Sequence, residues 1–131
     1  MEEITEPEIM YRAVKRSRPD TLTPDGKRVL SALFKDENGV SVDCRKGRTE
    51  AEAIDRLKSF FHTRLKAVGS LSGNCVAEAG ACVISDASEK NPYHALIYKN
   101  SCRESLTALQ ALKLADGCSL VYIDKTVKWL E

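Results

Sequence analysis

Apolar and polar positions alternate along this chain in two different periods, and the places where the period changes predict its elements. Ile9-Met10-Tyr11-Arg12-Ala13-Val14 combines β-favouring residues with partial alternation and predicts a strand, closed by the basic, proline-containing loop Lys15 to Asp20. Thr23 followed by Pro24 and Asp25 has the form of a helix start. Val29, Leu30, Leu33 and Phe34 follow at helical spacing, although Gly26 interrupts the run. Asn38-Gly39 marks a turn into a second strand, Val40 to Asp43.

The strongest periodic signal begins at Thr49-Glu50-Ala51-Glu52, a capping-box pattern. Ile54, Leu57, Phe61, Leu65 and Val68 then predict an amphipathic helix over about 50–67, with Glu52, Asp55, Arg56, Lys58, Arg64 and Lys66 as its solvated face. Gly69 to Asn74 is small and polar and reads as a loop. Small and β-branched residues from Cys75 to Ile84, and the run Ala95 to Tyr98 after Asn91-Pro92, predict two strands buried on both faces. Ser101 to Glu104 reads as a second capping box, with Leu106, Leu109, Leu112 and Ala115 behind it and Asp116-Gly117 as the stop. Cys118 to Ile123 and Thr126 to Leu130 predict a terminal β-hairpin. Strands and helices alternate in no regular βαβ order, which predicts an α+β fold. The expected architecture is an acidic flexible leader over 1–8 and a single domain over 9–131. That domain has one mixed or antiparallel sheet, about three helices packed on it and a C-terminal hairpin.

A length of 131 residues with 43% hydrophobic and 30% charged residues suits one globular domain and excludes coiled-coil, collagen-like and disordered classes. No apolar run approaches the roughly 20 residues of a membrane helix, and the N-terminus is acidic where a signal peptide is basic and then apolar, so the expected location is cytoplasmic. Five cysteines at positions 44, 75, 82, 102 and 118 contain no CxxC pair and read as reduced thiols. Cys44 stands apart because Arg45, Lys46 and Arg48 follow it, a setting that favours a thiolate. With two histidines and none of the nucleotide, hydrolase or zinc-protease motifs, neither a metal nor a cofactor is expected.

The net charge of +1 is unevenly spread: −4 over residues 1–10, +6 over 11–66, where 14 Lys and Arg stand against 8 Asp and Glu, and −1 over 67–131. The cations concentrate in loops 12–18 and 45–48. Were those loops adjacent, they would make a basic patch for phosphate or an acidic partner. His94 enters an apolar strand and needs a hydrogen-bond partner, for which Asp43, Asp86 or a backbone carbonyl are candidates; His62 lies on the flank of the long helix. Arg12 and Ser41 on successive strands resemble part of the Arg-Ser-Glu set of ADP-ribosyl transferases, without a convincing third acid.

Taken together, Tyr11-Arg12, Ser31-Ala32-Leu33-Phe34-Lys35-Asp36, Ser41-Val42-Asp43 and Asn91-Pro92-Tyr93-His94-Ala95 resemble blocks shared by a group of short, functionally uncharacterised bacterial proteins. The resemblance implies no activity. It does imply that Arg12, Lys35, Asp36, Ser41, Asp43 and His94 converge, with Phe34 as a core anchor. The leading expectation is a small cytosolic binding or accessory module engaging a protein partner or an anionic group through Arg12, Lys35, Asp43 and His94. Arg16, Arg18, Arg45 and Lys46 are further cationic contacts, and the setting is a bacterial defence or toxin-neutralising system. One alternative is a small enzyme with His94 as base and Cys44, or the Arg12/Ser41 pair, beside it. Another is nucleic-acid backbone binding by the two basic loops.

Overall fold

The computed structural model describes residues 3–4 and 8–125. Its strands are β1 (Glu3–Ile4), β2 (Ile9–Lys15), β3 (Val40–Cys44), β4 (Leu65–Ser72), β5 (Cys82–Ser85), β6 (His94–Tyr98) and β7 (Ser119–Ile123); its α-helices are α1 (Glu50–Phe61), α2 (Gly73–Glu78) and α3 (Ala108–Gly117). The strands form one sheet in the order β1-β5-β6-β3-β2-β4-β7, with every neighbouring pair antiparallel. The architecture is α+β, as the pattern predicts. No helix among the described residues is long and apolar enough to cross a membrane.

Alternation along β2 divides the core. Met10 and Val14 join Val40, Val42, Cys44, Val83, Ala95 and Ile97 in a large cluster on one sheet face, closed by Val76 of α2, Ala111 and Leu114 of α3, and Leu33 and Phe34 of a 3-10 turn. Tyr11 and Ala13 point the other way, into a smaller cluster with Leu65 and Val68 beneath Ala53 and Leu57 of α1. Helix α1 begins as its sequence requires. Thr49 Oγ1 accepts from the Glu52 N–H at 3.1 Å, and Glu52 Oε1 accepts from the Thr49 N–H at 3.0 Å.

Several expected boundaries move, each for a local reason. The long helix stops at Phe61 instead of continuing to 67: His62 takes φ 51°, a 3-10 turn spans His62–Arg64, and Leu65 opens β4. The ladder from Ile9↔Ser72 to Lys15↔Leu65 claims Leu65 to Ser72 for the sheet, overriding a helical spacing that Leu65 and Val68 share by coincidence. A bulge between Val14 and Lys15 lets Leu65 and Val68 both reach the α1 side. The expected loop 69–74 is therefore the end of β4 and the start of α2, and β5 is confined to Cys82–Ser85. No α-helix follows Thr23. Its hydroxyl donates to Asp25 Oδ1 at 2.5 Å and accepts from the Arg28 N–H, closing a tight turn with Leu22 bridged to Val29. The cap of α3 is Thr107 with Gln110, not Ser101 with Glu104, and Leu109 and Leu112 face outward while Ala111 and Leu114 are buried.

At the N-terminus, Glu3–Ile4 pairs with Ile84 and Val83 of β5, so order begins within the expected leader rather than at Ile9. The second arm of the expected hairpin, Thr126 to Leu130, lies outside the described residues.

Gly39 before β3 adopts φ 91°, and a Cβ there would meet the Tyr98 ring at 2.8 Å; Gly26 adopts φ 72° with nothing within 4 Å. Gly26→Ala is expected to cost about 1 kcal/mol for its backbone alone, and Gly39→Ala a further 1–2 kcal/mol for the displaced ring. Equal thermal midpoints for the two variants would show that the Tyr98 contact carries no cost.

Candidate functional site: a groove beside a split in the sheet

Strands β2 and β3 pair only at Met10↔Cys44 and Tyr11↔Asp43. Beyond that point each stays with its other neighbour, β2 with β4 and β3 with β6. Arg12 fills the resulting split. Its Nε and Nη2 donate to the Leu33 carbonyl at 3.2 and 3.0 Å, its Nη1 donates to the Ser41 carbonyl at 3.0 Å, and its Nη2 also meets Asp36 Oδ2 at 2.7 Å. Burial draws the guanidinium's pKa down, and Asp36 acts against that fall. Arg12 is thus occupied in holding the sheet, and it meets Ser41 through a carbonyl oxygen.

Helix α1 covers β2 and β4 but leaves β3 and β6 open on this side, and between them runs a groove of about 420 Å³. One wall is Arg56, Leu57, Phe60, Phe61 and Arg64. The floor and far wall are Ala13, Lys15, Ser41, Asp43, His94 and the Lys90-Asn91 loop. Antiparallel register sets Asp43 directly opposite His94. Asp43, only 4% exposed, accepts from Asn91 Nδ2 at 3.0 Å, and Asn91 Oδ1 in turn accepts from the Tyr93 N–H. His94 Nδ1 lies 2.9 Å from Asp86 Oδ2, leaving Nε2 as the ring nitrogen available to a ligand.

Besides Arg12, four cations line the groove, Arg56, Lys90, Lys15 and Arg64. Arg56 Nη2 donates to the Lys90 carbonyl at 2.6 Å near Asn91 and His94. At the far end Lys15 Nζ and the Arg64 guanidinium stand 5.9 and 5.4 Å from the Phe61 ring centre. Phe60, edge-on to Phe61 with centroids 4.8 Å apart, is 67% exposed. Among the described residues none of these four cations forms an ion pair.

Of the residues expected at a site, Arg12, Asp36, Ser41, Asp43 and His94 come together here, and Lys35 is exposed outside the lining. The two basic loops do not meet. Because β2 and β3 are antiparallel, Lys15 to Arg18 and Arg45 to Arg48 lie at opposite ends of β2, roughly 17–20 Å apart at strand rise. Arg18 pairs with Asp20, and Lys46 Nζ donates to the Pro92 carbonyl. Arg45 donates to the Tyr11 hydroxyl at 2.6 Å, and Arg48 sits 3.4 Å over the Tyr93 ring. Cys44 follows Asp43 in the strand and so points to the opposite face, into the large cluster. Burial pushes its thiol up to about 11, against the pull of Lys46 and Arg48, so the expected activation by its basic neighbours is absent. His94 and Cys44 therefore cannot act as a pair across one site. Sequence reasoning passed over Arg56, Phe60, Arg64 and Lys90. The adjacent phenylalanines were the available signal, since Phe61 continues the Ile54–Leu57 stripe and Phe60, one position earlier, falls about 100° off it.

No protein-family model matches the chain, and neither a curated protein nor a solved structure matches it.

Arg12→Met leaves the Leu33 and Ser41 carbonyls without their donor and is expected to cost about 2–4 kcal/mol in urea unfolding; Arg12→Lys, a point donor, restores only part. A loss below about 1 kcal/mol would show that the split is held by other contacts. The folded chain keeps the Cys44 proton above the ordinary 9.0, where the unfolded chain releases it, so stability falls as pH rises from about 9 to 11. Maleimide at neutral pH should modify exposed Cys102 and spare Cys44 until the chain unfolds.

Proposed function

We propose that this protein is a small cytoplasmic binding module that takes an anionic group of its partner in the groove beside α1. The observation that carries this reading is the combination of an apolar wall, Leu57, Phe60 and Phe61, with four cations that no carboxylate among the described residues neutralises. An exposed aromatic beside positive charge is complementary to an anion with an apolar body, which covers the ring and meets the cations at once. Five free thiols are consistent with a reducing compartment. A role beside a larger effector, as in a defence or toxin-neutralising system, fits a module with a groove and a small body.

A second reading, a small enzyme with His94 as general base, is supported by the Asp86 carboxylate on Nδ1, the arrangement that orients an imidazole for proton transfer. In that case His94→Gln removes an activity without lowering affinity for the anion.

The binding reading is tested by amide NMR titration with phenyl phosphate, using phenol as the neutral control. Shifts are expected around Lys15, Ser41, Arg56, Phe61 and His94, with affinity falling as salt rises through physiological strength. Replacing Lys15 and Arg64 together by glutamine should weaken binding several-fold, each exposed contact being worth about 0.5–1 kcal/mol. Shifts elsewhere on the surface, or equal shifts with phenol, would remove the reading.

A further inference from the structure

We infer that the groove's ligand is a free guanine nucleotide whose base edge is held by Asp43, an inference that rests on the groove being an anion site. Two carboxylates line the groove, and they differ. Asp36 has its charge matched by Arg12 at 2.7 Å. Asp43 is 4% exposed and forms no ion pair among the described residues. Its Oδ1 accepts from Asn91 Nδ2, and no side chain among the described residues donates to Oδ2. Asp43 stands opposite Tyr11 in the ladder and so shares the α1 face of the sheet, which turns the open oxygen toward the groove. A carboxylate buried this deeply calls for more donors than one amide supplies.

The acceptors around Asp43 decide which donors fit. The carbonyls of Lys90 and Ser41 already accept from Arg56 and Arg12, and Asn91 Oδ1 accepts from the Tyr93 N–H. An ammonium, with its several donors, would meet one strong acceptor here and leave the rest unpaired. A flat N–H edge needs the carboxylate alone. Guanine presents such an edge, N1–H beside the exocyclic N2–H, and a carboxylate accepts both in one plane. Adenine sets an acceptor nitrogen beside its amino group, and a carboxylate repels it. Guanine O6 needs a donor next to that edge. Arg56 stands at this corner, because it holds the Lys90 carbonyl and the next residue, Asn91, holds Asp43.

The rest of the groove suits the rest of a nucleotide. Its volume of about 420 Å³ lies within the range of small-molecule sites. Leu57 and Phe60, neighbours on α1, give the base an apolar wall, with Phe60 exposed to stack. Lys15 lies further along β2 than Tyr11, with Arg64 on the same Phe61 ring, so these cations take the phosphate away from the charge of Asp43.

The test is titration calorimetry with guanosine 5′-monophosphate, against adenosine 5′-monophosphate and phenyl phosphate, on the unaltered chain and on Asp43→Asn. The guanine nucleotide is expected to bind about tenfold or more tightly than the adenine one, the discrimination of one bidentate base contact. Asp43→Asn keeps the shape of the side chain but puts a donor where the base needs an acceptor. It should erase that preference while phenyl phosphate binds as before, a pattern that a general loss of structure would not give. Should the variant fail to fold, the ratio of the two nucleotides on the unaltered chain still decides. Equal affinities there, or a preference that survives Asp43→Asn, overturn the inference. Oligouridylate carrying one guanosine separates the free nucleotide from a strand: weaker binding than the mononucleotide is expected, and tighter binding overturns the inference. If phenyl phosphate shifts the groove amides and guanine gains nothing over adenine, the inference fails while the anion site stands. If neither binds, both fail.

Discussion

An arginine on the fourth position of a central strand sets the form of this molecule. Met10 and Val14 flank Arg12 on the same side of β2 and are wholly buried, so the Arg12 side chain enters an apolar face of the sheet at the point where β2 and β3 part. A guanidinium buried there must find acceptors. It finds them in the carbonyls of Leu33 and Ser41 and in Asp36, and these become reachable because the strands part. The cost of hiding one cation is thus offset by opening a seam in the sheet, and the groove lies over that seam.

This arrangement also sorts the basic residues. Arg12, Arg45, Arg48 and Lys46 spend their donors or their charge on carbonyls, a phenol oxygen and aromatic faces, so their density in the sequence reflects how the ends of β2 and β3 are tied down. Arg56 and Arg64 are tied in the same way, to carbonyls and ring faces, but they and Lys15 are more scattered along the chain, and proximity to Phe61 or to the Lys90-Asn91 loop brings them together. A net charge of +1 therefore conceals an uneven distribution of cations both along the sequence and in space.

The legible features of this chain were those encoded locally. Thr49 and Glu52 announce the start of α1 because the capping interaction is complete within four residues, and Val40 to Cys44 reads as a strand because its alternation survives into the fold. Asp43 and His94 were visible as polar intruders on apolar strands, and register then placed them opposite one another. The end of α1 was not visible, because Leu65 and Val68 keep helical spacing while a bulge delivers both to the same cluster from a strand. The turn at Thr23 was misleading for a related reason: a threonine hydroxyl that caps a helix can equally well close a turn around Asp25. Half of the groove was hidden on the polar side of the segment 50–67, where Arg56 and Arg64 carry the same signature as any solvated helix face.

The unequal division of the core has a consequence for motion. Helix α1 is held by the smaller of the two clusters, Tyr11, Leu57, Leu65 and Val68 with Ala53, while the sheet itself is secured by the larger cluster on its far side. Detaching α1 leaves that larger core intact, so the helix can open at a free energy below that of global unfolding. Its amides then exchange with solvent by a sub-global route, ahead of those in β3 and β6. The wall of the groove thus rests on the smaller core, and an occupant bridging α1 and the sheet would add to what holds it.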